Sequence, residues 1–230
     1  MLSVRSSWLL GACLLAVGAW AQNANATAEK PVATAQEVVN DTTQRVMAVV
    51  VEASEYADED PERYYQQVQA ILDPVIDFRG FARSVMGPYA SSERYRSLDA
   101  QGQGRLRDQL DRFTEVMRVG LVRTYSKGLL AYGGSRIEVF AASDEEEAKG
   151  RASVRQLIYS GQPEPYVLFY QMGRSKSGEW QLRNVIIESV NLGEIYRNQF
   201  EASARKNDGD LDAVIDGWET VEVKTAEGES

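Results

Sequence analysis

The side chains this sequence offers for catalysis are carboxylates, Lys, Tyr and Ser, because it holds no His and a single Cys, Cys13. Ser-His-Asp and Cys-His nucleophile systems are therefore excluded, and so are zinc sites built from His and Cys. The carboxylates do not converge on a catalytic pattern. Asp108, Asp111 and Glu115 fall at helical spacing among Arg105, Arg107 and Arg112, which is the pattern of surface ion pairs on a helix. Asp144-Glu145-Glu146-Glu147 lacks the alternating ligands and the glycine of a calcium loop. It reads as a solvated loop, and no metal site is expected. One enzymatic alternative stays open, a carboxylate or Tyr site with Asn184 and Glu188 beside Tyr170, since a fold alone does not exclude chemistry.

Two apolar constellations carry more information. Phe78-Arg79-Gly80-Phe81-Ala82-Arg83-Ser84-Val85-Met86-Gly87-Pro88-Tyr89 gathers aromatics, a Met and chain-bending residues. It suits the mouth of an apolar pocket with Arg79 or Arg83 beside an anion, and equally a core helix with a glycine stop. Met117 and Met172, with the Tyr-rich segment at 166–172, suit either an adaptable cavity or ordinary packing.

The elements that must position these residues follow from the punctuation of the chain. Arg5, the apolar stretch Trp8–Val17 and Ala19-Trp20-Ala21 read as a secretory signal peptide over residues 1–21, too short for a spanning helix. Cys13 would leave with it. Leu10-Gly11-Ala12-Cys13 also has the form of a lipobox, an alternative in which Cys13 becomes a lipidated N-terminus. Residues 22–33 read as a flexible leader, 34–218 as one domain and 219–230 as a disordered acidic tail. Thr34-Ala35-Gln36-Glu37 is a capping box, and Asp60-Pro61 opens the next helix. Leu106, Leu110, Phe113, Met117 and Leu121 mark one face of a long helix over 99–127.

The apolar period then changes. Residues 137–141, 152–159, 166–172 and 179–187 read as four strands joined by short links, an antiparallel meander. Two helices follow. Helices, then strands, then helices indicate α+β, with six to seven helices on a four-stranded sheet. Leu168 and Tyr170 share one face of a strand, and Val167 and Phe169 share the other. Apolar residues on both faces suggest a sheet curled around a core or cavity and backed by helices. The net charge of −9 argues against non-specific nucleic-acid binding and predicts repulsion from anionic membrane surfaces.

In order along the chain, the following segments resemble the MlaC, or toluene-tolerance, family: the leader, Asp77-Phe78, Val85-Met86-Gly87-Pro88-Tyr89, Val122-Arg123-Thr124-Tyr125, Trp180, Val185-Ile186-Ile187-Glu188-Ser189-Val190-Asn191-Leu192, Tyr196-Arg197-Asn198-Gln199-Phe200 and Asp210-Leu211-Asp212-Ala213-Val214-Ile215. The resemblance covers nearly all of 34–218. It departs at one turn: the family carries Gly-Val-Ser where this chain has Ser189-Val190-Asn191. The resemblance implies a nuclear-transport-factor-like curved sheet enclosing an apolar cavity. It implies a non-enzymatic periplasmic carrier that binds phospholipid and no cofactor. Its partners would be an outer-membrane lipoprotein-porin complex and an inner-membrane ABC transporter, and its role the maintenance of outer-membrane lipid asymmetry. Carriage of another apolar molecule, such as a quinone or lipopeptide, is the alternative within the same fold.

Such a carrier faces a definite demand. A diacyl lipid has on the order of thirty methylenes, and exposing them to water costs about 24 kcal/mol at roughly 0.8 kcal/mol each. The cavity must be dry and aliphatic or aromatic, with the phosphate left near solvent. On the family pattern and the strand alternation together, the residues expected to border the acyl chains are Phe81, Val85, Met86, Tyr89, Phe113, Met117, Leu168, Tyr170, Leu182 and Ile186.

Overall fold

The structure is a computed structural model, and it describes residues 33–221. The signal peptide, the leader up to residue 32 and the tail beyond Val221 lie outside the described residues.

Each helix begins where the chain supplies a cap. Helix α1 (Ala35–Ala53) starts at the expected capping box, with Thr34 and Glu37 bonding reciprocally. Helix α2 (Pro61–Leu72) opens on Asp60, whose side chain accepts from the Arg63 amide. Helix α3 (Phe78–Met86) is capped by Asp77, which accepts from Gly80 N at 2.9 Å. A Cβ on Gly80 would stand 2.0 Å from an Asp77 carboxylate oxygen, so a side chain there would evict the cap. A short 3₁₀ turn (Gly87–Ala90) leads to α4 (Ser92–Ser97), and α5 (Ala100–Leu129) runs 30 residues from its Asp99 cap.

Five strands then form an antiparallel meander in sequence order: β1 (Arg136–Phe140), β2 (Arg151–Tyr159), β3 (Tyr166–Arg174), β4 (Trp180–Ile187) and β5 (Val190–Asn191). A five-residue helix, α6 (Asp144–Ala148), stands where an acidic loop was expected. Ser143 caps it, and its Glu147 accepts from the Ala35 amide at 3.2 Å. Helices α7 (Leu192–Lys206) and α8 (Leu211–Asp216) complete the chain. The fold is α+β, as expected. Among the described residues it has five strands rather than four and eight α-helices rather than six or seven.

One face of the sheet is covered. In β2, Ala152, Val154, Gln156 and Ile158 are buried while Arg151, Ser153 and Arg155 are exposed. Helix α1 lies on the covered face: Gln36 Nε2 donates to Val139 O at 2.9 Å, and Gln156 Nε2 donates to Thr43 Oγ1 at 2.8 Å. Among the described residues no helix backs the other face, and Phe169 on it is 36% exposed. The apolar residues on both sides of β3 therefore do not reflect two-sided burial.

Helices α3, α5, α7 and α8 pack into a core of their own, centred on Val85, Met86, Phe113, Met117, Tyr196 and Phe200. The ring centroids of Phe200 and Trp218 each lie 5.0 Å from that of Phe113. The start of the expected tail is tied to this core. Tyr196 donates to Val221 O at 2.7 Å, and Gln199 Nε2 donates to Glu219 O at 2.7 Å. Thr220 crosses α5 so closely that a Cβ on Gly120 would meet its Oγ1 at 2.0 Å, which is why α5 tolerates a helix-weakening glycine there.

Candidate ligand cavity

Between the C-terminal half of α5 and the covered face of the sheet is a cavity of about 570 Å³. That size is typical of a small-molecule site. Helix α5 contributes Leu121, Val122, Tyr125 and Leu129. The sheet contributes Ile158, Leu168, Tyr170, Leu182, Val185 and Ile187. Leu72, Ile76, Phe78 and Phe81 close the side nearest α3. Tyr132 and Tyr166 also line it and meet edge to face, with ring centroids 5.5 Å apart.

The polar groups on this wall are few and mostly engaged. Tyr170 donates to Gln156 Oε1 at 2.7 Å, and burial pushes its phenol well above the ordinary range. Tyr125 and Tyr196 share a hydroxyl contact of 3.2 Å. Ser126 is 2% exposed, and its carbonyl accepts from Tyr64 at 2.8 Å. Among the described residues no carboxylate lines the cavity, and its one charged side chain is Arg183.

Arg183 owes its place to a register shift. Gln171 pairs with Asn184 and Met172 pairs with Leu182, so Arg183 is the extra residue of a β-bulge. Its guanidinium pairs with the Asp77 carboxylate. On the same side, Asp77 N donates to Leu182 O at 3.0 Å and Leu182 N donates to Val75 O at 2.8 Å. This parallel bridge at Ile76 fastens the entry to α3 onto β4.

Of the ten residues expected to border acyl chains, the structure brings Phe81, Leu168, Tyr170 and Leu182 together on the cavity wall. The other six lie elsewhere. Val85, Met86, Phe113 and Met117 are fully buried in the helical core, because they sit on the faces of α3 and α5 that pack among the helices. Tyr89 packs on Phe200 at 5.8 Å. Ile186 lies opposite Phe169, on the uncovered face, because the bulge at Arg183 reverses the alternation and turns Val185 and Ile187 inward.

The arginines expected near an anion are also placed differently. Arg79 pairs with Asp111, Arg83 is exposed, and neither borders the cavity. The residues of the enzymatic alternative are engaged structurally. Asn184 Nδ2 donates to Gln171 Oε1 at 2.9 Å and to Asn191 Oδ1 at 2.8 Å, and its Oδ1 accepts from Gly193 N at 3.0 Å. Glu188 is exposed and accepts from the Val167 amide. The carboxylates and arginines expected to pair along α5 find other partners: Asp111 pairs with Arg79, Glu115 with Arg118, and Arg112 with Asp212 and Asp216 of α8.

A family model described as MlaC protein matches residues 40–220 of this fold. The chain belongs to the MlaC family. Toluene tolerance protein ttg2D of Pseudomonas putida is 30% identical over 185 residues, which span 80% of this chain and 80% of that protein. The phospholipid-binding protein from Ralstonia solanacearum, solved in complex with a phospholipid, has a TM-score of 0.64 at 21% identity. The match covers 80% of this chain and 94% of that one, and at this identity it speaks for the shared fold.

Sequence reasoning missed several residues of this MlaC-family cavity, chiefly Leu121, Tyr125 and Leu129 of α5, Val185 and Ile187 of β4, and Arg183. The α5 residues were findable: they continue the stripe Leu110, Phe113, Met117 at steps of three and four. The bulge has no such signal, since Arg183 replaces neither a glycine nor a turn residue.

Proposed function

We propose that this protein is a carrier that holds the acyl chains of a phospholipid in the 570 Å³ cavity and keeps the headgroup at its mouth. The observation that carries the reading is the wall itself, which is aliphatic and aromatic, without a carboxylate among the described residues, and touched by a single cation. A non-enzymatic role fits that wall, because the Asn184, Glu188 and Tyr170 side chains are spent on holding the fold. Among the described residues no helix is long and apolar enough to cross a membrane. The bound phospholipid of the Ralstonia protein supports the ligand class.

The finer reading follows from the family and from the leader at 1–21. The protein works in the periplasm and shuttles lipid between an outer-membrane lipoprotein-porin complex and an inner-membrane ABC transporter. In doing so it maintains outer-membrane lipid asymmetry. Its net charge of −9 disfavours direct contact with anionic leaflets, so exchange depends on docking to protein partners. The pairing of Arg183 with Asp77 leaves little net positive charge at the wall, which fits low headgroup selectivity.

Native mass spectrometry of the protein purified from a Gram-negative periplasm tests the ligand class. The expected spectrum carries the mass of phospholipid. A bare protein, or one carrying a quinone or lipopeptide, overturns the proposal.

A further inference from the structure

Next to the main cavity, between α1 and the sheet, is a second hollow of about 150 Å³. Val39, Thr43, Val46 and Met47 of α1 line it and do not touch the main cavity. The two spaces share a partition of Leu72, Ile76, Leu129, Ile158, Leu168, Tyr170 and Leu182. Tyr170 is the tethered panel of that partition. Its hydroxyl donates to Gln156 Oε1 at 2.7 Å, and Gln156 Nε2 donates to Thr43 Oγ1 at 2.8 Å. The other six are aliphatic and hold their positions by packing alone, so rotamer changes can part them.

The hydrogen bonds of Gln156 and Thr43 also turn the polar atoms of the hollow toward one another. A buried water needs two to four polar partners, whereas an apolar cavity of this size stays dry and accepts apolar guests. The second hollow is about a quarter the size of the main cavity, so it takes only the last few methylenes of a chain.

Building on the carrier reading, we propose that the second hollow is a chain-end subsite. It receives the terminal methylenes of an acyl chain too long for the main cavity, passing between the aliphatic side chains of the partition. Its depth against α1 sets the longest chain the carrier retains.

The test fills the hollow without touching the main cavity. Full-length wild type, Val39→Phe and Met47→Trp are equilibrated with a graded mixture of phosphatidylethanolamines, each with two identical saturated chains. The bound species are then read by native mass spectrometry, with circular dichroism confirming that each variant is folded. Two variants are used so that one that fails to fold does not end the test. The expected result is a shift of the longest retained chain downward by about two carbons, the volume that each enlarged side chain adds, with shorter lipids still bound. An unchanged length profile overturns the subsite while leaving the carrier reading intact, and so does the loss of lipids of every length from a folded variant. Wild type that retains no phospholipid overturns the carrier reading, and the subsite falls with it.

Discussion

Arg183 stands as the extra residue of the β4 bulge and pairs with Asp77, the residue that caps α3. One carboxylate thus serves a helix start and a sheet irregularity together. Its removal should cost more than a cap alone, which is worth about 1 kcal/mol. Asp77→Ala is expected to destabilise the protein by about 2–4 kcal/mol in urea melts, because Arg183 then loses its partner as well. Asp77→Asn keeps a capping oxygen and should recover roughly 1 kcal/mol of that loss. Equal losses in the two variants would show that the cap contributes nothing.

The turn between β4 and β5 carries two residues at positive φ, Glu188 at 47° and Ser189 at 71°. Such a turn favours glycine. Ser189 occupies the place where the family sequence pattern has Gly. Ser189→Gly should relieve left-handed strain of about 1 kcal/mol, offset in part by the greater entropy of the unfolded chain. The urea midpoint should rise, and a fall would contradict the geometry.

Tyr64 is fully buried and donates to Ser126 O. Burial first, then the neighbouring Tyr65 and Tyr56, push its phenol from 10.0 up to about 12. Tyr170 and Tyr196 are pushed up further, chiefly by burial. A phenol with a raised folded pKa holds its proton more tightly in the folded state. Its stabilisation is complete below pH 10 and is lost as pH climbs through the folded value. For Tyr64 the loss is on the order of 3 kcal/mol between about pH 10 and 12. Melts should be flat across this origin of pH dependence up to about pH 9 and then fall steeply. Tyr64→Phe should make that fall shallower without moving its onset, because Tyr170 and Tyr196 still titrate from the same unfolded value, and an unchanged slope would contradict the assignment.

Leu168 and Ile186 offer a matched comparison, because β3 and β4 present them to opposite faces of the sheet. Leu168→Glu places a carboxylate on the cavity wall, where an unpaired charge is costly beside acyl chains. Co-purified phospholipid should drop at least tenfold, the equivalent of about 1.4 kcal/mol, with the fold retained. Ile186→Glu should leave lipid content unchanged. Equal lipid content in the two folded variants would refute the placement of Leu168.

How much of this was legible beforehand divides along physical lines. Caps carry their own chemistry, so Thr34 and Asp60 marked helix starts directly. The turn residues and the period-two segments likewise marked β1 to β4. Strand β5 has only two residues and α6 only five, too few for a period to show. The cavity wall was half legible for a deeper reason. Phe113 and Leu121 lie on the same helical stripe, but the first is buried in the core against α7 and α8 while the second faces the cavity. Packed core and cavity wall demand the same residue types, so composition and spacing do not separate them. Ile186 faces away from the cavity because one inserted residue reverses the faces of a strand.

Photo-crosslinking tests the central claim most directly. The full-length protein is loaded with a phospholipid that bears a diazirine within one acyl chain, irradiated and mapped by peptide mass spectrometry. The account predicts adducts on Leu121, Leu129, Leu168 and Ile187. Adducts confined to Phe169 and Ile186 on the uncovered face of the sheet, or to Val85 and Phe113 in the helical core, would contradict it.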